Sequence, residues 1–197
     1  MNKIIKYFLI MLMLGLFTSV TLSFINEITF PIIEEQKLKK VEKLLLNVDN
    51  VNKWVSGEKY INISDDEYIQ YVYISIDDNN KYQFIAYYTI TKGYSNGNIE
   101  TLIFIDCNKK NINSIEIINI ENQTKGIGSL IQDDPNYVNC FKNVSVNKYV
   151  GDNVNSHNSD SFDIISGATI SSRGVVQALI SSCNNFNEFW SNNESEK

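Results

Sequence analysis

Asp163-Ile164-Ile165-Ser166-Gly167-Ala168-Thr169-Ile170-Ser171-Ser172 leads almost directly into Val175-Val176-Gln177-Ala178-Leu179-Ile180. The first segment is small and hydroxylated. The second is apolar at helical spacing, a pattern that continues through Cys183, Phe186 and Trp190. The spacing predicts a helix over Ser171 to Phe189 that packs one face on a sheet. A Ser-Gly-Ala-Thr turn at a helix start leaves backbone N–H groups unpaired and accessible, which suits a phosphate.

Upstream of this stretch the chain reads as strands joined by short turns. Tyr68 to Ile76, Tyr82 to Ile90, Thr101 to Asp106 and Ile112 to Glu121 are rich in β-formers. Asp77-Asp78-Asn79-Asn80 and Asn108-Lys109-Lys110-Asn111 are turn signals between them. Connections this short fit antiparallel pairing. The loop Gln123-Thr124-Lys125-Gly126-Ile127-Gly128-Ser129 follows. Its two glycines either let the backbone approach a ligand closely or form an ordinary turn. Asp134 to Phe141 reads as a short helix with Pro135 in its first turn. Val144 to Val150 reads as a further strand, and Gly151 to Ser161, with His157, as a polar loop. Strands with helices at the ends of the domain predict an α+β fold.

At 197 residues, 43% hydrophobic and 12% aromatic, the chain has enough apolar material for a globular domain with a sizeable core. The formal charge is −6, and no basic run is longer than Lys39-Lys40 or Lys109-Lys110. Nucleic acid is therefore not an expected partner. Cys107, Cys140 and Cys183 are scattered, without a C-x-x-C pair, and His157 is the single histidine. No metal site is expected from that pattern.

Tyr7 to Asn26 carries no charge. At about 1.5 Å per residue it spans a ~30 Å hydrocarbon core. Lys3 and Lys6 precede it and Glu27, Glu34 and Glu35 follow, so the positive-inside rule places the N-terminus in the cytoplasm and the domain outside. A cleaved secretory signal is the alternative. The run exceeds the ~7–15 residues of a signal core and no A-x-A site follows, which favours an uncleaved anchor. After Pro31, Leu38, Val41, Leu45 and Val48 fall at helical spacing, as in a juxtamembrane helix. Val48 to Ser64 reads as a connector, and Ser191 to Lys197 as a frayed tail. The expected organisation is a cytoplasmic tip and transmembrane helix over 1–26, a juxtamembrane helix and connector over 27–60, and an extracytoplasmic domain over 61–197.

Ser166-Gly167-Ala168-Thr169, preceded by Asp163, resembles the covalent flavinylation motif of the FMN-binding domain family. Lys92-Gly93-Tyr94 is similar to the first half of the family's K-G-Y-G-G segment, and Ser95-Asn96-Gly97 departs from it. Gln123-Thr124-Lys125-Gly126-Ile127-Gly128 is similar to its E-T-P-G-L-G loop. Length and the single anchor make the chain most similar to the G subunits of Rnf-type ion-translocating complexes, relatives of the C subunits of sodium-pumping NADH:quinone reductases.

The resemblance implies an electron-transfer subunit of a membrane-bound ion-translocating oxidoreductase. FMN would be held as a phosphoester on Thr169, installed by a flavin transferase that uses FAD. The other subunits of the complex are the implied partners. The implied cofactor-binding residues are Thr169, Ser166, Gly167, Ala168, Ile170, Asp163, Thr124, Gly126 and Gly128, and no catalytic residue is implied. Asp163 serves either to orient Thr169 or as a turn or cap residue, and Arg173 either assists the phosphate or is a solvated helix residue. A Thr hydroxyl is a poor nucleophile without an activating base, and the sequence shows no triad to supply one. Two other readings remain: an anchored flavoprotein of another extracytoplasmic electron-transfer chain, and a non-redox anchored binding module.

Overall fold

The computed structural model describes residues 3–48, 51, 53–57, 61, 66–77, 81–151 and 164–195. Of the sequence expectations, Asp163, His157, the turn residues Asp78 to Asn80, most of the Gly151 to Ser161 loop and the last two residues lie outside these. The chain divides into two compact units, Met1–Leu44 and Leu45–Lys197.

The described residues of the first unit lie within α1, Lys3–Leu46. The apolar segment and the juxtamembrane segment form this one continuous helix, with Pro31 inside it. Proline leaves the Glu27 carbonyl without its helical donor, and the helix runs on regardless. Its apolar side chains from Ile4 to Ile33 are exposed. α1 is long and apolar enough to cross a membrane, a candidate span by length and composition.

The second unit contains a five-stranded antiparallel sheet in the order β1-β2-β3-β4-β5. The strands are β1 (Trp54–Ser56), β2 (Ile69–Ile76), β3 (Tyr82–Lys92), β4 (Asn98–Asp106) and β5 (Asn111–Ile120). β1 lies within the stretch expected to be a connector. Three residues carry no readable alternation, yet they pair with Tyr73 to Ser75 of β2. Trp54 is fixed by its Nε1 donating to the Leu45 carbonyl at 2.7 Å and by its ring meeting Phe104 edge-on. The turn expected at Asn108 to Asn111 joins β4 to β5, and Asp106 holds it: its Oδ1 accepts from the Asn108 and Lys109 N–H groups at 2.9 and 3.0 Å.

After β5 come α2 (Leu130–Asp133) and α3 (Pro135–Asn139). Pro135 starts α3, where its missing N–H costs nothing, and Asp134 caps it by accepting from Asn136 N at 2.9 Å. The expected strand at Val144 to Val150 is not formed. Val146–Lys148 is a 3-10 turn, and pairing with the sheet is limited to one bridge between Asn111 and Ser145. The apolar residues there are consumed by packing instead, since Val146 and Tyr149 are buried beside Phe141.

The last helix, α4, runs Thr169–Ser195. It starts two residues before the expected boundary, and Ser191 to Ser195 are helical rather than frayed. Val175, Val176, Leu179, Ile180, Cys183 and Phe186 are all buried in one cluster with Ile85, Tyr87, Ile103 and Ile105 of the sheet. This is the amphipathic face read from the sequence. A close approach at Gly174 sets where the helix starts. A Cβ there would stand 2.8 Å from the Lys92 carbonyl oxygen and 2.9 Å from Ile99 Cδ1. Thr91 Oγ1 donates to the Gly174 carbonyl at 2.9 Å. The first turn of α4 is thereby placed where β3 ends, β4 begins and β5 ends.

Candidate functional site

Three segments converge at that end of the sheet. The turn from β3 to β4 carries Tyr94, the loop after β5 carries Thr124 to Ser129, and the segment before α4 carries Ser166 to Ala168. They enclose a cleft of about 350 Å³ lined by Tyr94, Thr124, Ile127, Gly128, Gly167, Ala168, Thr169, Ile170 and Ser171. Sequence reasoning placed six of these at a site: Thr124, Gly128, Gly167, Ala168, Thr169 and Ile170. Ser166 lies beside the cleft in the turn and does not line it. Gly126, at φ +75°, is also outside the lining, on the exposed outer bend of its loop.

The entry to α4 is held by its own hydroxyls and backbone. Gly167 takes φ +86°, a conformation that favours glycine. The Ala168 N–H reaches the Ile165 carbonyl at 3.0 Å, and the Ile165 N–H donates to Ser172 Oγ at 3.3 Å. Tyr137 of α3 donates to the Ser172 carbonyl at 3.3 Å, fixing the turn from the other side. The first intrahelical bond is that of the Ser172 N–H to the Ala168 carbonyl, at 2.9 Å. The N–H groups of Thr169, Ile170 and Ser171 precede it at the positive end of a 27-residue helix.

The facing loop is equally fixed. Ile127 and Ser129 N–H groups return to the Thr124 carbonyl at 3.1 and 3.2 Å, and Ser129 Oγ accepts from the Gly126 N–H at 2.9 Å. Gln123 crosses from this loop to the other two segments. Ser171 Oγ donates to its Oε1, while its Nε2 donates to the Glu121 carbonyl at 2.8 Å and the Tyr94 carbonyl at 3.4 Å. Gln123, Ser171 and Tyr94 were not picked out as site residues from sequence. The readable signal was that Gln123 and Tyr94 sit inside the two motif-like segments.

The lining suits a flat ring bearing a phosphate. Tyr94, Ile127 and Ile170 are 50%, 48% and 53% exposed, and all three rim this one cleft. Large apolar side chains gathered on one concavity mark a binding surface. Among the described residues no carboxylate lines the cleft, and the free N–H groups of the α4 start lie on its wall. Arg173 does not line it; it is exposed and faces a second cleft with Lys92, Glu67 and Tyr68.

A concave site joining a phosphate-receptive helix start to an apolar rim belongs to the class of nucleotide-cofactor domains. Residues 93–183 match the model of the FMN-binding domain, and that segment contains every residue lining the cleft. The resemblance to the FMN-binding domain family therefore holds over the segment that forms the site. Among curated proteins none matches the chain. The crystal structure of Shewanella oneidensis NqrC is similar at 21% identity and a TM-score of 0.46, the match covering 61% of this chain and 61% of that one. The chain thus spans less than two thirds of that protein's length.

Proposed function

We propose that this protein is an electron-transfer subunit of a membrane-bound ion-translocating oxidoreductase of the Rnf type, carrying FMN as a phosphoester on Thr169. The observation that carries the reading is which hydroxyl is available. Of the four in the stretch, Ser171 and Ser172 are 1% and 0% exposed and are hydrogen-bonded. Ser166 is outside the lining. Thr169 both lines the cleft and is exposed.

The Thr169 Oγ1 would displace AMP from FAD, forming the P–O ester and giving up its proton. Among the described residues no imidazole or carboxylate lines the cleft to take that proton, which supports assigning the base to a separate transferase. Exposure of Thr169 lets a second active site reach it. The N–H groups of the α4 start would hold the ester's remaining negative charge. Tyr94, Ile127 and Ile170, which rim the cleft, would hold the ring and exclude water from it. Bound FMN supplies the one- and two-electron chemistry, and the protein sets its position and surroundings.

α1 as a membrane anchor, the Lys-before, Glu-after charge order and an extracytoplasmic domain complete the reading. A tether suits a cofactor that cannot be replenished outside the cytoplasm. Mass spectrometry of the Thr169 peptide, after co-expression with a flavin transferase, tests it. The expected result is the mass of FMN less water on wild type and none on Thr169→Ala. An unmodified wild-type peptide would remove the covalent claim.

A further inference from the structure

We infer that Gln123 is a positioning residue of the flavin cleft, and that the cleft requires its amide rather than a carboxylate. The inference rests on the reading of the cleft as the FMN site. Gln123 ties together the loop after β5, the β3–β4 turn and the first turn of α4: its oxygen accepts from Ser171 on α4, and its nitrogen donates to the Glu121 carbonyl beside its own loop and to the Tyr94 carbonyl of the β3–β4 turn. Two acceptors for one NH₂ group and one donor for the oxygen is the full polarity of an amide. A carboxylate could take the Ser171 hydroxyl, but it would turn an oxygen towards two carbonyl oxygens.

The backbone around the amide is cut to admit it. A Cβ on Gly93 would stand 2.8 Å from Gln123 Nε2, and a Cβ on Gly128 would stand 3.0 Å from Gln123 Oε1 and 3.1 Å from Ser171 Oγ. Glycines therefore flank the amide on both sides. Through Ser171 and Tyr94, Gln123 sets the separation between the wall that carries Thr169 and the aromatic rim.

The charged and titratable groups on the surrounding elements are engaged or directed elsewhere. Lys92 Nζ donates to Asn98 Oδ1 at 2.5 Å, the Glu121 carboxylate meets the Asn98 N–H at 3.4 Å, and Arg173 lines the second cleft. Lys125 and the Tyr94 side chain are exposed. Among these described residues no cation is set to neutralise a carboxylate placed at 123.

The test compares full-length wild type, Gln123→Glu and Ser171→Ala, co-expressed with the transferase, from pH 5.5 to 8. Flavin fluorescence anisotropy reports how firmly the ring is held. Hydrogen exchange of residues 94–98 and 121–129 in the apo-protein reports the same clamp without flavin. Wild type should be flat with pH in both, after correction for intrinsic exchange. Gln123→Glu should lose least at the acid end of the range, where the protonated carboxyl is most populated and returns one of the two donors. Above that its anisotropy should fall towards that of the free Thr169 flavopeptide, and exchange protection should drop severalfold, the scale of losing a hydrogen bond at partly buried and exposed acceptors. Ser171→Ala should lose part of the anisotropy with no pH dependence. A uniform, pH-independent change in Gln123→Glu, or none, overturns the inference. If wild type lacks flavin but the exchange profiles behave as stated, the clamp stands and the FMN reading falls.

Discussion

Replacing Gly174 with alanine tests whether one contact sets the position of the α4 start. In an ordinary exposed helix this change stabilises by up to about 1 kcal/mol, because glycine is a poor helix former. Here the new Cβ would stand 2.8 Å from the Lys92 carbonyl oxygen and 2.9 Å from Ile99 Cδ1. The isoleucine tip can turn aside, whereas the carbonyl belongs to the end of β3 and is held by the sheet. Overpacking of this kind costs about 1–3 kcal/mol. Lifting the helix also stretches the buried bond from Thr91 Oγ1 to the Gly174 carbonyl, worth about 1 kcal/mol. The sum is a net loss of about 1–3 kcal/mol. At ~2–4 °C per kcal/mol for a chain of this size, the melting temperature should fall by about 2–12 °C. Urea denaturation and thermal melting of the full chain in detergent measure it. Moving the helix start also moves Thr169, so flavin incorporation should slow in parallel. A Gly174→Ala protein more stable than wild type would refute the account of how α4 is docked.

Two further substitution and pH effects follow from the same geometry. Ser95 sits at φ 53° and Asn96 at φ 57°, both left-handed, in the Tyr94 turn. Ser95→Gly should stabilise by up to about 1 kcal/mol, and Asn96→Gly by less because Asn tolerates that region; a Ser95→Gly variant that loses stability in urea would contradict the strain. Burial, helped by the nearby Asp106 carboxylate, pushes the Cys107 thiol up to about 12 from 9.0. The folded chain therefore keeps a proton that the unfolded chain releases above pH 9, so this group's stability contribution is complete below 9 and is lost as pH rises towards 12. Native Cys107 should resist alkylation at pH 8 until denaturant is added, and rapid native labelling would refute its burial.

The elements that were legible in the sequence are those whose pattern is set by the chain itself. β2 to β5 alternate or run as β-branched and aromatic residues between Asx turns, and α4 carries a 3.6-residue stripe over its whole buried face. β1 was not legible because three residues show no period; its pairing depends on β2 being there and on Trp54 finding the Leu45 carbonyl. Val144 to Val150 misled because its apolar residues serve packing under a 3-10 turn rather than a strand face. The motif residues around Thr169 were legible by type. What sequence could not show is that Ser171 and Ser172, equally hydroxylated, are spent on Gln123 Oε1 and the Ile165 N–H while Thr169 is left free. That distinction depends on partners 48 and 7 residues away.

The departures of this chain from the motif segments can be placed in one geometric frame. Gly93 and Gly128 are retained because each abuts the Gln123 amide, and a side chain at either would push the clamp apart. Ser95 and Asn96, at the positions of the two glycines in the segment this one resembles, hold positive φ here, so the turn keeps its shape at a cost in strain. That turn presents the Tyr94 carbonyl to Gln123 Nε2 at 3.4 Å. A turn that must be held against its own preference gains from a donor that grips its carbonyl. The change from Glu to Gln in the loop supplies such a donor at every pH. The strained turn and the amide at 123 are thus two parts of one arrangement. Reverting Ser95 and Asn96 to glycine should accordingly make the cleft less sensitive to Gln123→Glu, measured as a smaller pH-dependent loss of exchange protection in the triple variant than in the single one.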